Sequence, residues 1–204
     1  MADELAAWGF DFRAERIEKT KPTSIESAFL KGSTIINLLQ IGAPPEMASR
    51  LPKGQLIRIK LEIDLDPPPG ATTEVLSRLV PTPHQIRVYD LPSLFAGKLH
   101  AVLCRNWKSR VKGRDFYDLI WYAGRRTPLN LAHLEARMRQ SGDWPRETPL
   151  DTPGLCQRLA ERFAAVDFEQ AKEDIAPFLK DPRELRLWSA QFFLELIPQI
   201  RTGK

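Results

Sequence analysis

Cysteine is nearly absent from this 204-residue chain, which carries only Cys104 and Cys156. The two stand far apart in segments that read as helical, and they match neither a CxxC pair nor a zinc-finger spacing. That excludes a disulfide-stapled secreted fold and leaves two reduced, partly buried thiols as the expectation. Histidine is equally scarce: His84, His100 and His133 lie scattered without ligand spacing, and none reads as a metal ligand. No apolar run approaches the ~20 residues that span a bilayer. Residues 1–9 include Asp3 and Glu4 and lack the apolar centre of a secretory leader. A soluble, cytoplasmic protein with no membrane partner is expected. Walker and GxGxxG loops are missing, as are Ser-His-Asp and Cys-His arrangements. The P-loop, dinucleotide-binding and common hydrolase chemistries are thereby excluded. Internal repeats and low-complexity tracts are also missing.

What is present is an ordinary globular composition, 43% hydrophobic and 27% charged, enough for one well-packed domain or two small ones. The formal charge of +4 permits a nucleotide or nucleic-acid partner without requiring one. The pattern reads as α+β, with a mixed or antiparallel sheet in residues 1–90 and helices in 91–204. A helix over 2–8 is stopped by Gly9. Phe10, Phe12, Ala14 and Ile17 suggest a strand, and 27–31 and 34–41 two more around a Gly32-Ser33 turn. Segments so close together suggest antiparallel pairing.

The clearest strand covers 56–65. Ile57, Ile59, Leu61, Ile63 and Leu65 occupy one face, predicted to be buried, and Arg58, Lys60, Glu62 and Asp64 the other. Three prolines after Asp66 end it. A loop and a short strand over 85–89 follow. Asp90 and Pro92 then open a helix that runs to about Arg105. A basic loop over 106–113 leads to a helix over 114–125, and further helices are predicted over 131–140, 155–163 and 183–200. The helices around Lys98 and Asp118 are expected to pack together, with Leu94, Leu99, Leu103, Leu119 and Tyr122 in or near the core.

Three groups of residues could do chemistry. Glu62 and Asp64 point the same way from one strand, ~7 Å apart. Such a pair can hold Mg²⁺, and a solvated face of mixed sign accounts for it too. Lys98 follows the small pair Ala96-Gly97 in a largely apolar helix. It can meet a polyphosphate as a point charge or snorkel to water. Asp115 and Asp118 share a helical face. Asp115 complements the helix dipole, whereas Asp118 abuts the apolar run Leu119-Ile120-Trp121-Tyr122 and needs a partner. Between the two helices lie Arg105, Lys108, Arg110, Lys112 and Arg114, with Trp107 among them. That cluster suits a nucleic-acid backbone with a stacked base, or a solvated loop.

Taken in order, three segments resemble the AbiEii/AbiGii toxin family of the DNA polymerase β-type nucleotidyltransferase superfamily. They are Ile59-Lys60-Leu61-Glu62-Ile63-Asp64, Tyr89-Asp90-Leu91-Pro92-Ser93-Leu94-Phe95-Ala96-Gly97-Lys98-Leu99-His100-Ala101, and Lys112-Gly113-Arg114-Asp115-Phe116-Tyr117-Asp118-Leu119. The resemblance covers roughly residues 1 to 140 and implies a nucleotidyltransferase-type α+β fold. It implies that Glu62, with Asp64 beside it, matches the third metal-binding carboxylate. Lys98 matches the lysine on the phosphates, and Asp115 and Asp118 the acidic segment after it, with Asp118 the active-site carboxylate. Members use Mg²⁺ to move a nucleoside monophosphate from an NTP to an acceptor, in some cases the end of tRNA. They act as toxins of toxin–antitoxin or phage-defence pairs, so a cognate antitoxin is an implied partner.

The chain departs from that family at one place. Members open with a Gly-Ser turn followed by an Asp-x-Asp strand that binds phosphates and metals. Here Gly32-Ser33 is the only such dipeptide, residues 40–50 contain Glu46 as their sole acid, and Asp64-x-Asp66 is followed at once by Pro67. The expectation is a chain that begins after that unit. Glu62, Lys98 and Asp118 would still converge on one cleft, but with too few carboxylates for two-metal transfer. The alternative is a non-catalytic domain that binds nucleotide, RNA or a partner protein.

Overall fold

The structure, a computed structural model, describes residues 2–10, 12–16, 24–40, 42, 44–52, 54–80, 82–107 and 110–203. Antiparallel sheet occupies the N-terminal half and helices the C-terminal half. Two compact units divide the chain, residues 1–67 and 68–204.

The first unit is a three-stranded antiparallel sheet, β1 (Arg13–Arg16), β2 (Ile25–Ser33) and β3 (Leu56–Asp64), in the order β1-β2-β3. It also contains α1 (Ala2–Ala7), α2 (Thr34–Gln40) and α3 (Pro45–Ser49). Gly9 adopts a φ of 82° just after α1, as a helix-stopping glycine should. Ile17, expected in the first strand, lies outside the described residues, as does Ile41.

Two expectations fail here. Of the run expected as a strand over 34–41, residues 34–40 form the helix α2 instead, and Gly32-Ser33 is not a turn between strands but the end of β2, paired with Ile57 and Leu56. The reason is local. The Ser33 hydroxyl accepts from the Ile36 N–H at 3.4 Å, and the Asn37 side chain donates to the Ser33 carbonyl at 2.8 Å. A hydroxyl at that position caps a helix start, and a short apolar run fits helix or strand equally well. The apolar face of β3 is also less buried than predicted. Ile57 and Leu61 are half-buried, but Ile59 and Ile63 are 44% and 62% exposed, on a strand that among the described residues pairs on one side, with β2.

The second unit opens with the hairpin of β4 (Thr73–Arg78) and β5 (His84–Tyr89). The first of these strands falls where a loop was expected. Helices follow: α4 (Leu91–Cys104), α5 (Gly113–Gly124), α6 (Leu131–Ser141), α7 (Thr152–Ala165), α8 (Phe168–Ile175) and α9 (Ala190–Leu196). Side-chain caps set most of their starts. Asp90, Asn130, Asp151, Asp167 and Ser189 each accept from the backbone N–H three residues on, in the first turn of the helix that follows.

The single helix predicted over 183–200 is instead a 3₁₀ turn (Pro182–Leu187), then α9, then a second 3₁₀ turn (Ile197–Gln199). Ser189 restarts the helix by capping it, and Pro198 supplies no N–H to continue it. α8 was not foreseen.

The core of this unit is aromatic. Phe116 on α5 meets Phe193 at 5.2 Å and Phe168 at 5.4 Å between ring centroids, and Phe168 stacks on Phe193 at 4.7 Å. Phe95 of α4 stacks on Tyr122 of α5 at 4.8 Å, which locks the two helices together. Leu99, Leu103, Leu119 and Tyr122 are buried as expected, but Leu94 is 41% exposed, since it falls on the opposite side of α4 from Phe95 and Leu99. Both cysteines are free and half-buried. Burial, and then the charge of nearby Asp143, push the Cys104 thiol up to about 12, so it stays protonated.

Asp90 gives a measurable handle on α4. Burial works to raise its carboxyl, but hydrogen bonds from Thr72 and Ser93 outweigh that and hold it below the ordinary carboxylate value. A depressed folded value means stability that is present above the unfolded value of 3.8 and lost as pH falls through the folded one. Asp90→Ala should lower the unfolding free energy by about 1 kcal/mol at neutral pH. In urea titrations the gap to the parent should close at acid pH, below 3.8.

Candidate active site

Lys98 lies on α4 and Arg105, seven residues on, is the residue that ends it, while Asp115 and Asp118 share a face of α5. The pairing crosses over. Lys98 Nζ meets Asp118 Oδ2 at 2.6 Å, and the Arg105 guanidinium meets the Asp115 carboxylate. The earlier cation takes the later carboxylate, so the helices run in opposite directions and the pairs form two rungs between them.

The rungs differ in strength. The Lys98 and Asp118 side chains are 49% and 35% exposed, whereas Asp115 keeps only 11%. An exposed pair contributes about 0–1 kcal/mol, because water screens it and two side chains lose freedom to make it. Asp115 is different. Burial raises its carboxyl, and the Arg105 charge and hydrogen bond work against that rise. The Arg105–Asp115 rung is therefore architectural, while Lys98 is held loosely and can be drawn away.

Around these rungs lies a cleft of about 400 Å³ lined by Lys98, Arg105, Lys112, Arg114, Asp115, Tyr117, Asp118 and Ile175. Four cations face two carboxylates, so the wall is net positive and suits a polyanion. Of the five basic residues expected to act together, Arg105, Lys112 and Arg114 reach this cleft. Lys108 lies outside the described residues. Arg110 turns away to the carboxylate of Asp174 on α8 and lines a separate hollow with Gln170 and Phe178. Trp107 is no open stacking platform either. Arg162 covers its ring at 4.0 Å, and Phe116 packs beside it at 5.4 Å.

Glu62 and Asp64 belong to the first unit and stand exposed on one face of β3. Lys60 Nζ lies 2.6 Å from Glu62 Oε1, and Asp64 Oδ1 accepts from the Asp66 N–H at 3.1 Å. In the β2–β3 register Glu62 pairs with Ser27 and Asp64 with Ile25, whereas Ser33 pairs with Leu56. Gly32-Ser33 is thus six residues along the strand from the carboxylates, about 20 Å away. It is not a phosphate turn beside them.

The residue that seats the site was not legible in sequence. Asp174 has a side chain only 2% exposed. It accepts from the Gly113 N–H at 3.1 Å and pairs with Arg110. Gly113 opens α5, and a Cβ there would sit 1.9 Å from the Ala171 carbonyl oxygen. Arg162 is a second such residue. It donates to the Val102 and Arg105 carbonyls at 2.8 and 2.6 Å and closes the end of α4. The N-cap Asp167 before an amphipathic run was the signal that could have revealed α8, and with it Asp174.

Antiparallel sheets are joined in sequence to helices that build a cationic, lysine-bearing cleft, which defines an α+β protein. More narrowly, the chain belongs to the nucleotidyl transferase AbiEii toxin family of type IV toxin–antitoxin systems, whose sequence pattern matches residues 2–196. No curated protein and no solved structure matches it. No described helix is long and apolar enough to cross a membrane.

Removing Asp174 should orphan the buried Gly113 N–H, at a cost of about 1–3 kcal/mol. Asp174→Ala should therefore lower the urea midpoint clearly, and Arg110→Ala should lower it as well, at a cost of about 1–3 kcal/mol, because it strips the close counter-charge from a buried carboxylate and leaves it Arg114 at 3.9 Å. Gly113→Ala should cost at least about 1–3 kcal/mol by overpacking against the α8 backbone.

Proposed function

We propose that this chain is a toxin nucleotidyltransferase whose helical unit grips the triphosphate of an NTP. The Lys98–Asp118 pair in a net-positive cleft carries the reading. A half-exposed pair is weak, so a triphosphate can take Lys98 from Asp118 at little cost, while Arg105 stays on Asp115 and holds the cleft open. Lys112 and Arg114 add charge at the rim. Glu62 and Asp64 fit Mg²⁺ by chemistry, being hard oxygen donors on one strand face. Their described cross-strand neighbours Ser27 and Ile25 add no carboxylate, so among the described residues this pair offers donors for one ion and not for two. When bound there, Mg²⁺ would neutralise phosphate charge. The family points to an acceptor such as tRNA, to a cognate antitoxin and to a role in phage defence in the cytoplasm.

Phosphoryl transfer owes nearly all its acceleration to positioning and charge neutralisation. With donors for one ion, the chain binds NTP weakly and transfers nucleotide too slowly to detect. Without turnover it acts as a nucleotide- or RNA-binding domain.

Two measurements test this. Lys98→Ala should weaken NTP binding at least ~10-fold while leaving the unfolding free energy within about 1 kcal/mol of the parent. Unchanged binding would remove the cleft from the account. Incubation with labelled NTPs, Mg²⁺ and total tRNA should leave RNA and protein unlabelled. Labelling that disappears in Glu62→Ala would show a complete site and overturn the inactive reading.

A further inference from the structure

A second cluster on α4 takes no part in the cleft. His100 and Cys104 stand four residues apart, one turn along the same face of the helix. Asp143 reaches them from the end of α6. There Gly142 turns the chain with a φ of 81°, and the Asp143 N–H closes the turn on the Met138 carbonyl at 2.8 Å. One ligand atom from each of the three residues lies within 4.8 Å of the others, and all three residues are half-buried. His100 Nε2 lies 3.0 Å from the Ser141 hydroxyl, which donates to Asp143 Oδ2 at 2.5 Å. A ring nitrogen, a sulfur and a carboxylate oxygen are thus gathered within 4.8 Å of one another.

We infer that His100, Cys104 and Asp143 form a binding site for a zinc-type divalent cation, with the fourth position left to water. The donor set selects the metal. Thiolate and imidazole favour Zn²⁺ and its Irving–Williams neighbours over Mg²⁺ or Ca²⁺, which want oxygen alone. Tetrahedral zinc with bonds of about 2.0–2.3 Å sets its ligands about 3.3–3.8 Å apart. The three atoms, within 4.8 Å of one another, have at most about 1–1.5 Å to close to reach that spacing.

On binding, the S–H bond of Cys104 breaks, an S–metal bond forms, and one proton leaves to solvent, with nothing oxidised or reduced. Ser141 loses its place between His100 and Asp143 but remains beside the carboxylate as an orienting donor. The bound ion ties α4, which carries Lys98 two residues before His100, to the end of α6. This site is independent of the nucleotide reading.

The test uses the full chain freed of metal by chelation and titrated with Co²⁺, then Zn²⁺. A thiolate-to-cobalt charge-transfer band should appear, saturate at one equivalent with one proton released per ion, and vanish when Zn²⁺ displaces cobalt. It should persist in Cys156→Ser and be lost in Cys104→Ser. His100→Gln and Asp143→Asn should each weaken Zn²⁺ binding at least ~10-fold, and Zn²⁺ should raise the Tm of the parent by several degrees. Circular dichroism checks that each variant is folded. Should Cys104→Ser unfold, the His100→Gln and Asp143→Asn titrations decide. No cobalt band in the parent, a band that survives in folded Cys104→Ser, or unweakened binding in both other variants overturns the site.

Discussion

The seat of α5 on α8 governs the helical unit. At Gly113 the two backbones approach so closely that a Cβ would meet the Ala171 carbonyl oxygen at 1.9 Å. A buried carboxylate, Asp174, satisfies the N–H exposed by that approach. Buried polar groups left unpaired are costly, so the contact admits little slippage. Once α5 is seated, Phe116 falls among Phe168 and Phe193, and the opposite face presents Asp115 and Asp118 to α4. A polar contact in the core thus fixes the position of one sheltered and one half-exposed carboxylate.

On that foundation the two rungs between α4 and α5 divide the work. Arg105 with Asp115 is sheltered, and loss of Arg105 would leave a buried carboxylate without its counter-charge. Lys98 with Asp118 is open to water and worth little to stability. An ion pair that contributes little and faces a net-positive cleft is a resting position for a lysine. The same helix carries His100 and Cys104 farther along, so α4 presents a hard cationic edge toward α5 and a soft ligand pair toward α6.

The first unit follows another logic. Its sheet is held by backbone pairing, and β3 shows apolar side chains to solvent as well as charged ones. Alternation announced the strand, since period two is written in residue types. How deeply its apolar face would be buried depended on what covers the face, and alternation says nothing of that. The 34–40 run is ambiguous in sequence for a related reason: β-branched and apolar residues suit both states, and one serine hydroxyl at the helix start decides between them.

The sequence by itself determined the family, the change from sheet to helix near residue 90, the start of α4 at Asp90, and the candidate residues Glu62, Asp64, Lys98, Asp115 and Asp118. These features are local: caps, periods and ordered motifs act over a few residues and can be read from them. Only the tertiary structure decided which cation meets which carboxylate. It sent Arg110 to Asp174 instead of the cleft, covered Trp107 with Arg162, and brought Asp143 to His100 and Cys104. Those partners lie tens of residues apart. Their meeting depends on how helices seat against one another, which is a matter of volume and burial that no spacing records.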